Sequence, residues 1–334
     1  MKKLLLFVVV PLVALIALPP LWFALFPAAT ATLPPPQTRV DLAYGVSINA
    51  LDSGGDGASR SDAIVLVHGL PGTAYDWREL APLLADAGHR VIAIDRVGYG
   101  HSSGRTAIHG DGDPDYSLRA NTRDLLALLT AMDLRDTTVV GWSYGGVMAM
   151  DAASIDPSRI ARIILVGSGG PSSDDDAPPQ AGAALRFFYS LPVLRWRAMV
   201  PPVSHSLMAV LSERAFSGGD QPQWWLQGLI ANFSRWETTL SYRGEILAPI
   251  GDLLQLDDIR VPTHIVHGDN DQLAPVSIGR YLSTRIAGAD YTEVAGGSHM
   301  LPVTHPRLLA NEILGAMTPG SAQVQLPIQP STQP

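Results

Sequence analysis

The chain of 334 residues has no cysteine, few charged side chains and no basic block. The absence of cysteine excludes disulfides, thiolate zinc sites and a cysteine nucleophile, which leaves chemistry based on oxygen, nitrogen and carboxylate groups. Lys and Arg total 23 against 31 Asp and Glu, so the formal net charge is −8. Because nucleic-acid binding needs clustered positive charge, we expect no nucleic-acid partner.

Apolar side chains, by contrast, are abundant. Hydrophobic residues make up 46% of the chain and charged residues 16%, and the mean hydropathy is +0.15. This composition excludes a disordered, collagen-like or charged coiled-coil chain. The length fits one large α/β domain or two small domains, and no internal repeat is visible.

The N-terminal segment, residues 1–32, is uncharged after Lys2 and Lys3. A helix of about 20 residues crosses a hydrocarbon core of about 30 Å, and this run is longer than the apolar region of a signal peptide. It predicts a transmembrane anchor with a cytoplasmic N-terminus, which places the rest of the chain outside the cytoplasm. The alternative is a cleaved signal, because residues 29–31 (ATA) have the small-x-small form of a cleavage site. A proline-rich linker follows at residues 33–38.

From residue 39 onward, short apolar runs alternate with helical stretches. Runs such as IVLV and IILV lack polar alternation, which is typical of parallel strands buried on both faces. The pattern predicts an α/β fold with a mostly parallel central sheet flanked by helices. The predicted strands are 46–51, 63–67, 91–95, 137–140, 162–166, 263–266 and 291–294. The main predicted helices are 74–87, 117–132, 144–154 and 277–287.

The alternation stops over residues 172–258, which we call the cap. This segment contains helix-like, aromatic-rich sequence and is predicted to be a helical insertion between two parts of the core, 39–171 and 259–317. Its aromatic side chains and His205 could line an apolar pocket, or the rings could form the core of the cap itself. The tail, residues 318–334, has no packing pattern and is predicted to be disordered. Four of the seven tryptophans lie in the cap, at Trp196, Trp224, Trp225 and Trp236.

One serine lies in a pattern typical of nucleophiles. Residues 141–145 (GWSYG) match G-x-S-x-G, in which the glycines allow a sharp turn from strand to helix. Ser143 directly follows a predicted strand and precedes a predicted helix. A second match at residues 100–104 (GHSSG) lies several residues beyond its strand, and no apolar helix follows it. Context therefore selects Ser143 rather than Ser102 as the nucleophile.

A serine nucleophile needs a general base, and the base needs a partner that orients it. Residues 267–271 (HGDND) follow one predicted strand, and residues 296–299 (GGSH) follow the last one. Since the carboxyl ends of parallel strands share one edge of the sheet, we expect both segments to lie at the edge that carries Ser143. Asp269 and Asp271 are both candidates for the acid at this point.

These motifs, taken in order, resemble the α/β-hydrolase superfamily. The resemblance is to its cap-bearing members, such as meta-cleavage-product hydrolases, epoxide hydrolases and related esterases, and it covers about residues 40–317. It rests on residues 68–72 (HGLPG), 95–102 (DRVGYGHS), the Ser143 turn, Gly268-x-x-Asp271 with Pro275, and His299 with Pro306.

The resemblance implies a catalytic triad that works without a cofactor or a metal. It places the acid three residues after Gly268, which selects Asp271 over Asp269, and it assigns His299 as the base. Asp95 is expected to anchor its loop rather than to act in catalysis.

The resemblance also implies that the backbone amides of Leu70 and Tyr144 form the oxyanion hole. Separately, His264 and His267 lie three apart in a predicted strand and so face opposite sides, which argues against a metal pair.

One departure from the family narrows the chemistry. Haloalkane dehalogenases and epoxide hydrolases carry Asp at the nucleophile position, whereas this chain has Ser143. The sequence therefore predicts a membrane-anchored serine hydrolase that cleaves an ester-type bond of a small apolar substrate through an acyl-enzyme. The alternatives are a carbon–carbon bond hydrolase of the meta-cleavage type and a non-catalytic small-molecule receptor on the same fold.

Overall fold

The computed structural model describes residues 38–54, 61–105, 114–173, 212–233, 235–248 and 254–318. An eight-stranded sheet with the order β1-β2-β4-β3-β5-β6-β7-β8 forms its centre. Neighbouring strands are parallel from β4 to β8, and β2 pairs antiparallel with both β1 and β4. The strands are β1 (Thr38–Asp41), β2 (Ser47–Asp52), β3 (Ile64–Val67), β4 (Val91–Asp95), β5 (Thr137–Trp142), β6 (Ile160–Val166), β7 (Thr263–Gly268) and β8 (Asp290–Val294).

Helices cover both faces of this sheet. Val65 and Val67 of β3 pack in one hydrophobic cluster with α2, α3 and α6, whereas Ile64 and Leu66 pack in a second cluster with α1, α7 and α8. This alternation follows from the two-residue repeat of a strand. The described α-helices are α1 (Ala81–Asp86), α2 (Leu118–Ala131), α3 (Tyr144–Ile155), α4 (Gln223–Phe233), α5 (Trp236–Leu247), α6 (Val276–Arg285), α7 (Leu301–Thr304) and α8 (Pro306–Met317).

The predicted α/β architecture, with its mostly parallel sheet and flanking helices, is confirmed. One predicted helix, residues 74–87, was wrong as a single element. It consists of a 3₁₀ turn at Ala74–Trp77 and the separate helix α1, which begins at Ala81 and has Pro82 in its first turn. Proline lacks the amide that a continuing helix would need, so it starts α1 anew.

Strand β1 was missed by the sequence analysis. Its residues Arg39 and Asp41 are exposed and form an ion pair across one face of an edge strand. A polar edge strand carries no apolar run, so the pattern gave no signal for it. Thr38, assigned to the linker, is its first residue.

Two helices of the cap lie between β6 and β7, which are direct neighbours in the sheet. Helices α4 and α5 therefore belong to an insertion between adjacent parallel strands. The full extent of the cap, 172–258, remains a prediction, because Trp196 and His205 lie outside the described residues.

The predictions for the two ends of the chain also fall outside the described residues. They concern the N-terminal membrane segment, residues 1–32, and the tail beyond Thr318. Within the part of the chain that the structure describes, no helix is long and apolar enough to span a bilayer.

Candidate active site

Ser143 lies in a tight turn between β5 and α3. Its backbone has φ 54° and ψ −117°, a conformation that residues other than glycine rarely adopt. The neighbouring glycines make the turn possible, because a Cβ on Gly145 would lie 2.2 Å from the carbonyl oxygen of Val67. A strained residue at the end of a central strand is what a nucleophile needs in order to project from the sheet edge.

The loop after β3 packs directly against this serine. A Cβ on Gly69 would lie 2.7 Å from Ser143 Cβ and 3.3 Å from Ser143 Oγ. The next residue along this loop is Leu70. Tyr144 is the first residue of α3, so its amide has no acceptor within the helix. Both predicted oxyanion donors therefore lie in segments that border Ser143.

His299 and Asp271 form a buried hydrogen-bonded pair. The ring Nδ1–H of His299 donates to Asp271 Oδ2 at 2.7 Å, which leaves Nε2 as the basic nitrogen. The other carboxylate oxygen accepts from the amides of Leu273 and Ala274, each at 2.8 Å. Burial on its own raises the pKa of Asp271, but the facing imidazole, its hydrogen bond and the two amides outweigh burial and lower that pKa below its ordinary value. The carboxylate is therefore ionised and able to orient the ring.

Trp142, the residue before Ser143, holds the loop of His299 against β5. Its indole Nε1–H donates to the backbone oxygen of His299 at 2.8 Å, and the two rings lie 5.6 Å apart between centroids. Gly167, just beyond β6, packs closely against the Asp271 carboxylate, since a Cβ there would lie 3.3 Å from Asp271 Oδ2. The ends of β5, β6, β7 and β8 thus bring the three predicted triad residues to one edge of the sheet. The sequence analysis missed Trp142, because it occupies a variable position of G-x-S-x-G.

The loop after β7, which we call the acid loop, carries two aspartates with different surroundings. Asp269 is exposed and accepts the amide of Gly296 at 2.7 Å, whereas Asp271 is buried against His299. The geometry favours Asp271 as the acid. Asp269 instead ties the two loops of the site together.

The two histidines of β7 have separate hydrogen-bond partners. His264 Nε2 lies 3.0 Å from Glu312 Oε2, while His267 donates to the carbonyl of Ala274 at 2.8 Å. Burial lowers the pKa of His267, so its ring is neutral beside the acid loop. Among the described residues, no three His, Asp or Glu side chains are grouped to hold a metal ion.

The second G-x-S-x-G match has a structural role. The hydroxyl of Ser102 is buried, donates to the carbonyl of Asp95 at 2.5 Å and accepts the amide of Asn49 at 2.8 Å. The carboxylate of Asp95 accepts the amides of Ala74 and His101 at 2.7 and 2.8 Å. The prediction that Asp95 anchors its loop is confirmed.

Aromatic rings of the cap pack into the core of the protein. Trp225 of α4 contacts Phe216 with ring centroids 5.0 Å apart, and Phe233 contacts Tyr242 at the same distance. All four rings belong to the hydrophobic cluster that contains Trp142. They pair with one another, as expected for a core of the cap itself, and they also pack with residues of the α/β core.

A family profile described as alpha/beta hydrolase fold matches residues 62–306. The chain belongs to the α/β-hydrolase fold family. A non-heme chloroperoxidase of Streptomyces lividans is 28% identical over 261 residues, which cover 75% of this chain and 90% of that protein. The chain therefore spans nearly the full length of that relative.

Two further similarities agree with this membership. A 2-hydroxy-6-oxononadienedioate/2-hydroxy-6-oxononatrienedioate hydrolase of Paraburkholderia xenovorans is 26% identical over 249 residues, covering 70% of this chain and 79% of that protein. The solved structure of an esterase from Exiguobacterium antarcticum superposes with a TM-score of 0.68 at 20% identity, covering 84% of this chain and 99% of the esterase, and supports the fold. The resemblance found in the sequence and the classification of the protein as a hydrolase are confirmed.

Proposed function

We propose that this α/β-hydrolase cleaves the ester bond of a small apolar substrate through an acyl-enzyme intermediate. The observation that carries the proposal is the buried Asp271–His299 pair, with a 2.7 Å hydrogen bond, at the sheet edge where Ser143 is held in a strained turn. An ionised acid, an oriented imidazole and a projecting hydroxyl are the components of serine acyl transfer.

In the proposed reaction, Ser143 Oγ attacks the carbonyl carbon of the ester while His299 Nε2 accepts the hydroxyl proton. Collapse of the tetrahedral intermediate expels the alkoxide, which takes that proton from His299. Water then attacks the acyl-enzyme with the same histidine as base, and the acid product leaves. Asp271 stays ionised throughout and stabilises the imidazolium that forms in each half-reaction.

The negative oxygen of each tetrahedral intermediate would bind the amides of Leu70 and Tyr144. Backbone donors fixed in this way cost no reorganisation during the reaction, and loss of one such donor typically lowers kcat about 10²- to 10³-fold. The tight packing of Gly69 on Ser143 supports this arrangement, because the loop that carries Leu70 cannot move away without opening that contact.

Carbon–carbon bond hydrolysis is the second candidate. The relative in Paraburkholderia xenovorans favours it, since its name describes hydrolysis of an oxononadienedioate. Both reactions would use Ser143 and His299, so the two are distinguished by which substrate the protein turns over.

We also propose that residues 1–32 anchor the protein in a membrane with the hydrolase on the non-cytoplasmic side. The uncharged run that follows two lysines supports this proposal. Fractionation tests it: an anchored protein stays in the membrane pellet after an alkaline carbonate wash. A soluble product whose N-terminus follows residue 31 would indicate a cleaved signal instead.

The function is tested with the full-length protein in detergent and p-nitrophenyl esters of two to eight acyl carbons. We expect saturable turnover that falls at least about 10³-fold in Ser143→Ala, because the variant lacks the nucleophile. A vinylogous diketone assayed in parallel tests the second candidate, carbon–carbon bond hydrolysis. Saturable binding of these compounds without turnover would contradict the proposal and favour a receptor.

A further inference from the structure

A buried ion pair lies behind the loop that carries Leu70. Arg96 follows the last residue of β4, and Glu245 lies in the cap helix α5, 149 positions further along the chain. Arg96 Nη1 and Glu245 Oε1 are 2.5 Å apart, and their side chains are 2% and 0% exposed. A buried pair of this kind seldom stabilises a fold more than apolar residues of similar size would. Its presence therefore calls for another explanation.

The carboxylate of Glu245 is fully engaged. Besides Arg96, it accepts the hydroxyl of Tyr99 at 2.6 Å and the side-chain amide of Asn121 at 2.7 Å. These donors come from the loop after β4 and from α2, so one cap side chain is hydrogen-bonded to two elements of the core. These hydrogen bonds hold the carboxylate in a single geometry, although the Nε–H of Arg96 has no partner among the described residues.

The guanidinium of Arg96 is fixed in turn. It lies between the rings of Tyr99 and Tyr144, 4.6 and 4.8 Å from their centroids. Its Nη2 donates to the backbone oxygen of Gly69 at 3.1 Å. Arg96 therefore contacts both segments that border Ser143, namely the loop of Gly69 and the residue that follows the nucleophile.

The carbonyl of Gly69 receives two further hydrogen bonds. His68 Nδ1–H donates to it at 2.8 Å, and the amide of Gly72 donates at 3.1 Å. Burial, followed by the charge of Arg96, lowers the pKa of His68, so its neutral Nε2 accepts the Arg96 amide at 3.0 Å. Three donors on one oxygen fix the plane of the peptide between Gly69 and Leu70.

This peptide plane is the one that matters for the proposed reaction. In a trans peptide the carbonyl and the amide point in opposite directions, so the bonds that hold the oxygen of Gly69 also direct the N–H of Leu70. Polarisation of the carbonyl by a cation strengthens the same amide as a donor.

We propose that Arg96 and Glu245 are positioning residues that orient the Leu70 amide toward the reacting oxygen. Because Glu245 belongs to α5, the placement of this cap helix sets the geometry of the oxyanion hole. The inference rests on the proposed function, in which the Leu70 amide binds the tetrahedral intermediate.

The test compares wild type with the double variant Arg96→Met/Glu245→Gln in the full-length protein. Replacing both partners leaves no unpaired buried charge and keeps an acceptor for Tyr99. We expect kcat on a p-nitrophenyl ester to fall about tenfold with KM within twofold, since the Gly69 carbonyl retains two of its three donors. Inhibition by an alkyl trifluoromethyl ketone, which forms a tetrahedral adduct with serine, should weaken by a similar factor.

A second, largely buried pair supplies a matched control. Arg90 and Asp52 form an ion pair with side chains 12% and 7% exposed, and Asp52 Oδ1 also accepts the amide of Gly54 at 2.9 Å. Arg90 precedes the first residue of β4 whereas Arg96 follows the last, so the length of the strand separates this pair from the loop of Gly69. The variant Arg90→Met/Asp52→Asn should retain wild-type kcat and inhibitor affinity.

The outcomes are distinct. Unchanged kcat and inhibitor affinity in a folded Arg96→Met/Glu245→Gln protein would overturn the inference, and so would an equal loss in the control. If the double variant does not fold, Arg96→Lys carries the test, because lysine keeps the charge but cannot bridge Glu245 and Gly69 with a planar fork. A wild type without Ser143-dependent turnover would remove the proposed function itself, which is a separate result.

Discussion

Trp142 donates its indole N–H to the backbone oxygen of His299 across 2.8 Å, so the residue before the proposed nucleophile holds the loop of the proposed base. This bond joins two segments 157 positions apart in the chain. It makes the position of the imidazole depend on β5 as well as on the loop that carries the acid.

Replacing Trp142 by Phe should therefore lower kcat by about three- to tenfold, because the histidine loop loses the donor that positions it. Stability should fall by about 1 kcal/mol or more through the lost hydrogen bond. Trp77→Phe is the control, since Trp77 packs edge-on against Trp142 and its buried indole nitrogen has no partner among the described residues. Ester kinetics and thermal unfolding check both. An equal kcat loss in Trp77→Phe would indicate a packing effect instead.

Replacement by asparagine should lower kcat far more at Asp271 than at Asp269. Asp271→Asn removes the charge that orients His299 and favours the wrong ring tautomer, so kcat should fall about 10³- to 10⁴-fold. Asp269→Asn should stay within about threefold, because the exposed side chain accepts the amide of Gly296 through an oxygen that asparagine keeps. Comparable losses in both variants, measured as kcat on one ester, would reject Asp271 as the specific acid.

Replacing glycine by alanine should lower kcat at Gly69 but increase stability at Gly315. Gly69→Ala would bring a Cβ within 2.7 Å of Ser143 Cβ, which forces the oxyanion loop outward and should lower kcat by about 100-fold. Gly315→Ala in α8 meets no atom within 4 Å and should raise the free energy of unfolding by about 0.5–1 kcal/mol. Kinetics and denaturant unfolding of both proteins measure these effects. Wild-type kcat in Gly69→Ala would contradict the close packing.

A buried carboxyl beneath the cap should make stability depend on pH. Burial raises the pKa of Asp76 from 3.8 to about 7. The folded state then binds a proton that the unfolded state has lost, so the contribution of this group to stability is full below about pH 4 and decreases as pH rises to about 7.

Asp76→Asn isolates this effect. The melting temperature of the variant minus that of wild type should increase from about pH 4 to about pH 7 and then level off, because asparagine does not titrate. Burial also raises the pKa of the neighbouring Asp95, whose charge repels an ionised Asp76, so removing the Asp76 charge adds to the same increase. A constant difference across this range would show that Asp76 titrates normally.

The sequence predicted those features that depend on local pattern. Buried strands such as β3 (IVLV) are apolar runs bounded by turns, and the Ser143 turn follows from two glycines at fixed spacing. Strand β1 was not predicted because its exposed residues carry no apolar pattern. The helix predicted at 74–87 was wrong as one element because Pro82 lies in the first turn of a separate helix.

The site was predictable to the same extent. Chain order indicated the two segments, the resemblance to the α/β-hydrolase family selected Asp271 and His299 within them, and the structure places these two residues in contact. Glu245 gave no signal, because its role depends on a partner 149 positions away that no periodicity connects to it. The contribution of Trp142 depends on a backbone carbonyl, which the sequence alone does not reveal.

The most direct test of the proposed chemistry is intact-mass spectrometry of the full-length protein after treatment with a fluorophosphonate probe. An activated Ser143 should acquire a single adduct in wild type and none in Ser143→Ala, with both proteins folded by circular dichroism. A folded wild type that acquires no adduct, or a Ser143→Ala protein labelled to the same extent, would contradict the assignment of Ser143 as the nucleophile.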